Sequence, residues 1–372
     1  MIPEKEKLYL RDLAKELKEI SQTDANNLKR KKWYDINNLK QNSTPVFMNH
    51  YFPPVSIHEL FPKDSFVCDN PKARQHELFL KTRLFYAKDL EDDNVIEPVI
   101  YSDVSWGMQE YEGLKRLIHR SHNDKNNSGA YEMIPVITAY ENINKLTLPK
   151  ITYNEKETLF NYEETYDIFS PILTVIKKPV CFASKIADEY SWLRGMENTY
   201  MDLYDDPDWM KDALERIKNN ILSRFTTLEE LGIWGTLDNS FPLGSAGLRY
   251  ADGIPDFRSV DDPLHYKMKL NESWGFTCAD VFTCVSNDMH NEFSFHYDHQ
   301  VMDLFKYINI GCCEVLDKKI DLVRTFPNAR KVSVSEWCDY ECAASQIKNQ
   351  FVYSYRAAGT PFVPEHLFYQ LN

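Results

Sequence analysis

The order of apolar and polar segments between residues 307 and 337 limits the folds open to this chain. Aromatic and β-branched residues begin the segment and favour a buried strand, and Gly311 allows a sharp exit from it. Apolar residues then recur at roughly helical spacing up to Pro327, and alternating Val332 and Val334 predict a second strand. A strand, a helix and a strand in this order form a βαβ unit, whose strands pair in parallel. The segment therefore predicts a parallel sheet.

Two adjacent thiols and a carboxylate, Cys312, Cys313 and Glu314, follow the first of these strands. In parallel sheets, functional groups collect where strands end and loops begin. Thiolate and carboxylate ligands together suit zinc with an open position for a thiol or an ether oxygen. Asp280, at the exit of an earlier predicted strand, and His296, in a predicted helix, are candidates to complete the ligand set. The alternative for each thiol is that it is an ordinary small buried residue.

Strands and helices alternate through most of the chain. From residue 97 onward the pattern predicts about seven strands separated by helices long enough to be crossovers, and the closure expected of such a pattern is a (β/α)8 TIM-type barrel. The predicted strands include 97–101, 172–176, 233–237, 277–283 and 351–355. Residues 1–90 are predicted to be a helical and irregular N-terminal extension, and residues 91–372 to be the α/β barrel.

Composition excludes several classes of function. The net charge of −13 disfavours nucleic-acid binding, which requires clustered Lys and Arg. Residues 1–20 are charged and lack the apolar segment of a signal peptide, and no window reaches the length of a membrane span. We therefore expect a cytoplasmic protein that binds neither nucleic acid nor membrane. In a reducing compartment its eight cysteines are expected to be buried thiols, metal ligands or nucleophiles rather than disulfides.

Five short segments resemble a known family. They are RGMEN at 194–198, DLYDDP at 202–207, WGF at 274–276, GCCE at 311–314 and VSVSEW at 332–337. In this order, within a resemblance that runs from about residue 52 to residue 356, they resemble the uroporphyrinogen decarboxylase superfamily, and most closely its anaerobic, decarboxylase-like branch. The resemblance implies a (β/α)8 barrel and an enzyme.

The chemistry implied by the resemblance depends on where this chain departs from the family. The family's decarboxylases carry an RQAGR motif near the N-terminus, which is missing here, so porphyrinogen chemistry is not expected. The remaining members are zinc-dependent or corrinoid-linked methyltransferases. The resemblance thus implies a methyltransferase that moves a methyl group between a small substrate, for example an aromatic methoxy compound, and a corrinoid carried by a partner protein, with zinc as the metal.

Two further departures concern the ligands and the end of the barrel. The methyltransferases hold zinc with a His-x-Cys at this strand end, but the His is absent here, so the expected ligands are Cys312, Cys313, Glu314 and His296. The family also adds a strand and a helix after the position of Arg356. That last unit is expected to be short or missing, and the open edge to be covered by the extension or by a partner such as a second copy of the chain.

Roles for individual residues complete these expectations. Asp280 and Glu314 are the predicted catalytic residues, and the predicted substrate-binding residues are Asn239, Trp274, Tyr353 and Arg356. The aromatic side chains would line the substrate, and Arg356 would pair with a substrate carboxylate, although each has a structural role as its alternative. Two other functions stay open: a small-acid decarboxylase that uses Asp280 and Arg356, and a non-catalytic barrel that binds a corrinoid or tetrapyrrole, or a partner through its N-terminal extension.

Overall fold

The computed structural model describes residues 2–40, 44–47, 60–120, 131–244 and 246–356. The helices are α1 Glu4–Ser21, α2 Asp24–Asn37, α3 Pro71–Lys88, α4 Glu155–Phe169, α5 Ile186–Arg194, α6 Met196–Asp205, α7 Pro207–Glu230, α8 Asn287–His290, α9 His296–Met302, α10 Ile320–Val323 and α11 Tyr340–Ile347. A π-helical segment, Asn291–Phe295, joins α8 to α9, and short 3-10 turns occupy Lys63–Ser65, Tyr140–Lys145, Leu270–Glu272 and Asp280–Phe282. The strands are β1 Val99–Ser102, β2 Trp106–Gln109, β3 Leu117–Arg120, β4 Tyr131–Ile134, β5 Lys150–Tyr153, β6 Thr174–Lys177, β7 Trp274–Thr277, β8 Tyr307–Ile310, β9 Ala329–Val334 and β10 Val352–Tyr355.

Local sequence explains where the long helices begin. The Asn70 side chain accepts hydrogen bonds from the backbone N–H groups of Lys72 and Ala73, and so caps α3, which starts with a proline. Pro207 likewise occupies the first turn of α7. The Asp206 side chain does not cap α7; it accepts a hydrogen bond from the Tyr140 hydroxyl instead.

The four-stranded sheet is parallel and has the order β10-β9-β8-β7. The βαβ unit predicted for residues 307–337 is confirmed, since β8 and β9 pair in parallel, although the helix between them is a single turn. Strands β1 and β6 form a second parallel pair. The α/β class is therefore confirmed.

The arrangement differs from the predicted barrel in its closure. Among the described residues no ladder joins the β1–β6 pair to the four-stranded sheet, and single bridges Val180–Gly235 and Ser184–Thr277 lie between them. A closed eight-stranded barrel is thus not shown. The strand predicted at 233–237 is reduced to the bridge at Gly235, whose φ of +86° interrupts an extended chain.

The strand predicted at 277–283 is displaced toward the N-terminus. Strand β7 ends at Thr277, and the 3-10 turn Asp280–Phe282 follows it. The Thr277 hydroxyl donates to the buried Asp298 carboxylate at 2.7 Å, which fixes the strand end. Cys278 and Asp280 consequently lie in the loop beyond the strand.

The N-terminal helices share a hydrophobic core with the first parallel strands. The buried side chains of this core come from α1, α3, α4, β1 and β6: Leu10, Ala14, Leu17, Ala73, Leu80, Leu84, Ile100, Ile168, Phe169 and Val175. The extension therefore packs against the α/β part. None of the helices in the described ranges is long and apolar enough to cross a membrane.

Two antiparallel strand pairs were not predicted. Strands β2 and β5 form one pair, and β3 and β4 form the other. The β3–β4 pair flanks a polar stretch, 121–130, that lies outside the described residues, and its side chains are mostly exposed. Strands with this little burial carry a weak apolar signal, so sequence periodicity does not reveal them.

Candidate functional site

A cluster of thiols and carboxylates lies beyond the carboxyl ends of the parallel strands. Cys278 and Asp280 follow β7, the segment 312–314 follows β8, and Arg356 follows β10. Gly311 makes the turn out of β8 with φ of +95°, and a Cβ there would lie 2.6 Å from Leu316. Only glycine suits this position, and the turn places both adjacent thiols in the cluster.

Glu314 holds two loops together. Its side chain is fully buried, and its two oxygens accept hydrogen bonds from the backbone N–H groups of Ala279 at 3.0 Å and Cys312 at 2.7 Å. The loop after β7 is thereby tied to the loop after β8. Burial and the neighbouring Asp280 carboxylate raise the pKa of Glu314 well above its ordinary value.

The thiols of Cys312 and Cys313 have the spacing of a shared metal site. Their Sγ atoms are 3.7 Å apart, and a tetrahedral zinc ion about 2.3 Å from each sulfur would hold two sulfurs about 3.8 Å apart. A carboxylate oxygen of Asp280 completes a group whose donor atoms all lie within 4.8 Å of one another. Two thiols and one carboxylate fit zinc and leave a fourth position open.

A second group of donors shares Asp280. It contains Asp188, at the start of α5, and Cys278, and its donor atoms also lie within 4.8 Å of one another. The Cys278 Sγ is 3.8 Å from Asp188 Oδ2 and 4.0 Å from Asp280 Oδ2. Lys185 lies beside both acids, with Nζ 4.0 Å and 3.7 Å from the same two oxygens.

The surroundings of Cys312 favour its thiolate form. Hydrogen bonds from the Cys278 and Cys313 thiols lower the pKa of Cys312, and the nearby positive charges of Arg356 and Lys185 lower it further. The Arg356 Nη1 lies 3.4 Å from Cys312 Sγ and 3.2 Å from Cys313 Sγ, and donates to the Cys312 carbonyl at 2.7 Å. Thiolates are the form that binds a metal.

The structure brings together some of the predicted site residues. Asp280, Cys312, Cys313, Glu314 and Arg356 lie in one cluster. In the part of the chain that the structure describes, the two donor groups leave out Glu314 and His296, both predicted as ligands. Both Glu314 oxygens already accept backbone hydrogen bonds, and His296 is exposed on α9.

The predicted substrate-binding aromatics lie elsewhere. Trp274 begins β7, so four residues, or about 13 Å of strand, separate it from Cys278. It is 2% exposed and donates to the Arg249 carbonyl, as a core residue does. Tyr353 is half-buried within β10, and its hydroxyl donates to the Tyr340 carbonyl.

Asn239 is buried with one unsatisfied atom. Its Nδ2 donates to the Pro255 carbonyl at 3.4 Å, while Oδ1 has no hydrogen-bond partner among the described residues.

The two cavities described lie away from the thiol cluster. The larger, about 310 Å3, lies at the start of β6 between Lys18, Tyr162 and Pro171.

Sequence reasoning missed three residues around the cluster. Lys185 and Asp188, at the start of α5, had no predicted role in the site. Asp298 is fully buried and accepts hydrogen bonds from Thr277 at 2.7 Å and Ser294 at 2.7 Å, and from Ser184 at 3.5 Å. Burial raises the pKa of Asp188 to about 6 and that of Asp298 to about 7.

Comparisons with known proteins do not place the chain. It matches no protein-family model, no curated protein and no solved structure.

Proposed function

We propose that this chain is a zinc-dependent methyltransferase of the uroporphyrinogen decarboxylase superfamily, built on a (β/α)8-type barrel, that transfers a methyl group between a small substrate and a corrinoid protein. One observation carries the proposal: Asp280, Cys312 and Cys313 converge beyond the ends of parallel strands, with a sulfur-to-sulfur distance of 3.7 Å. A set of two thiolates and one carboxylate with an open position is typical of a catalytic zinc site. Reduced thiols also fit the proposed cytoplasmic location.

Each side chain of the cluster has its own role in the proposed reaction. Zinc bound there would act as a Lewis acid toward an ether oxygen or a thiol of the substrate. Cys312, Cys313 and Asp280 would hold it, and the guanidinium of Arg356 would favour the thiolate form of Cys312. Glu314 would fix the two loops so that the donor atoms stay in place during methyl transfer.

Metal analysis tests the zinc part of the proposal. Purified full-length chain, kept reduced, is expected to contain at least one zinc ion per molecule, and Cys312→Ser and Cys313→Ser are each expected to lose it. Cys342→Ser is the matched control, because this thiol lies on α11 and contacts the Asp317 carbonyl instead of the cluster. A zinc-free protein, or thiol variants that bind zinc like the wild type, would overturn the zinc assignment.

Methyl transfer is tested with the zinc-loaded chain. The enzyme is incubated with reduced cobalamin and a panel of methoxyaromatic compounds and methyl thioethers, and formation of methylcobalamin is followed by absorbance. The expected result is substrate-dependent methylation that is lost in Cys312→Ser. Loaded protein that methylates cobalamin with none of these donors, and binds none of them, would refute the proposed activity and leave only a metal site.

A small-acid decarboxylase is the second candidate, because two cations border the thiol cluster. Lys185 Nζ lies 3.7 Å from Asp280, and Arg356 contacts both adjacent thiols, so a substrate carboxylate would meet positive charge on two sides. Release of carbon dioxide from small carboxylic acids, lost in Arg356→Met, would favour this function. Carbon dioxide release that Arg356→Met leaves unchanged would exclude this use of Arg356.

A further inference from the structure

The two oxygens of Asp280 face different neighbours. Oδ1 accepts a hydrogen bond from the Cys313 backbone N–H at 2.8 Å. Oδ2 lies 4.0 Å from Cys278 Sγ and 3.7 Å from Lys185 Nζ. One carboxylate therefore borders two donor groups at once, and this is the arrangement that bridges metal ions in two-metal sites, where the ions are about 3.5–4 Å apart.

The second donor group is buried and already oriented. Asp188 is 3% exposed and Cys278 is 1% exposed. Asp188 Oδ1 accepts from the Val281 backbone N–H at 2.9 Å, which leaves Oδ2 facing the Cys278 thiol at 3.8 Å. Together with the partly exposed Asp280, this thiol and carboxylate offer both soft and hard donors, as zinc tolerates.

We propose that Asp188, Cys278 and Oδ2 of Asp280 form a second metal subsite, so that the cluster holds two zinc ions bridged by Asp280, and that the ammonium group of Lys185 fills this subsite when one ion is bound. The inference rests on the proposed zinc function. Coordination replaces the proton of the Cys278 thiol, which passes to solvent.

Lys185 competes with the second zinc ion for this subsite, because its ammonium group lies where that ion would bind. Its Nζ is within 4.0 Å of the facing oxygens of both carboxylates, and its positive charge offsets the negative charge of the buried Asp188 and the partly exposed Asp280. Its side chain is 27% exposed and also approaches the Trp192 ring at 5.8 Å. The long flexible stem can move toward that ring when a divalent ion replaces the ammonium group.

Zinc titration of the full-length chain tests the second subsite. Protein stripped with chelator under reducing conditions is titrated by calorimetry, and bound zinc is counted after desalting. The wild type is expected to bind two equivalents, whereas Asp188→Asn and Cys278→Ser are each expected to bind one. Thermal melting of the metal-free variants verifies that both fold.

Each outcome decides between the two proposals. One equivalent in the wild type and in both variants would refute the second subsite and leave the zinc function intact. Two equivalents retained by Asp188→Asn and Cys278→Ser would place the second ion elsewhere and also refute it. No zinc in any of the proteins would refute the proposed function, and the second subsite with it.

The role of Lys185 has its own measurement. Lys185→Met removes the competing charge, and the second equivalent is expected to bind roughly tenfold more tightly. Lys211→Met is the matched control, because that lysine pairs with Glu292 on another surface. An unchanged second affinity in Lys185→Met would refute the competition.

Discussion

The buried carboxylate of Glu314 is expected to stabilise the fold whether or not a metal is bound. It accepts two backbone hydrogen bonds at 3.0 and 2.7 Å that join the loops after β7 and β8. In Glu314→Ala, the N–H groups of Ala279 and Cys312 lose their acceptor. An unpaired buried donor costs about 1–3 kcal/mol, so two of them should lower the free energy of unfolding by about 2–6 kcal/mol.

A conservative variant separates hydrogen bonding from side-chain volume. Glu314→Gln keeps the shape and one oxygen but turns an amide N–H2 toward the second backbone donor. We therefore expect about half of the loss seen in Glu314→Ala, or about 1–3 kcal/mol, because one of the two acceptors remains. If Glu314 acted only as a metal ligand, both variants would match the wild type in the absence of metal.

Chemical denaturation of the chelator-treated chain, followed by tryptophan fluorescence, measures this effect. Glu292→Ala is the control, because Glu292 is an exposed carboxylate whose pairing with Lys211 contributes little. If Glu314→Ala unfolds within about 0.5 kcal/mol of the control, Glu314 does not join the two loops in the way described.

Three further variants test other parts of the fold. Burial raises the folded-state pKa of Asp298 to about 7, so the protonated carboxyl stabilises the folded chain fully below about pH 4, and this contribution is lost as the pH rises to about 7. The free energy of unfolding of the wild type, relative to that of Asp298→Asn, should therefore fall between pH 4 and 7. Parallel pH profiles of the two proteins would contradict this. Arg224→Met should cost about 3 kcal/mol, the lower end of the range for a broken buried pair, because Glu189 keeps only the Tyr111 hydroxyl and the longer Arg116 contact at 3.7 Å. Denaturation measures this loss, and adding Glu189→Gln should rescue it in part; an undiminished loss in the double variant would contradict it. Leu10→Ala should lower the free energy of unfolding by about 2–5 kcal/mol, because α1 contributes Leu10 to the core shared with β1 and β6. Leu8→Ala should lower it little, because Leu8 is exposed. Equal effects of the two substitutions would show that the extension does not share that core.

The sequence predicted the features that depend on a few neighbouring residues. The βαβ order of residues 307–337 follows from apolar spacing, and Gly311 marks the turn that brings Cys312 and Cys313 to a strand end. Asp280 was placed near them because it follows a strand of the same predicted sheet. Parallel pairing brings such strand ends together, so local patterns suffice for this part of the cluster.

Distant residues in the cluster could not be predicted in this way. Lys185 and Asp188 precede Cys278 by about ninety positions, and the single bridge between Ser184 and Thr277 brings them beside it. A bridge of one residue pair produces no periodic pattern in the sequence. The strand expected at 233–237 is reduced to one bridge for a related reason, since Gly235 interrupts that segment.

His296, the predicted ligand on α9, lies outside the two donor groups, and the geometry of the helix explains why. His296 and Asp298 are two positions apart at the start of α9, immediately after the π-helical segment Asn291–Phe295. A π-helical turn contains more residues than an α-helical turn, so it rotates every following side chain relative to a period of 3.6. The rotation leaves His296 exposed and turns Asp298 inward to the Thr277 and Ser294 hydroxyls. Thr277 directly precedes Cys278. The inward-facing carboxylate of Asp298 therefore supports the strand end from which the second donor group begins, and Asp298 is the first residue of this helix to consider as a ligand.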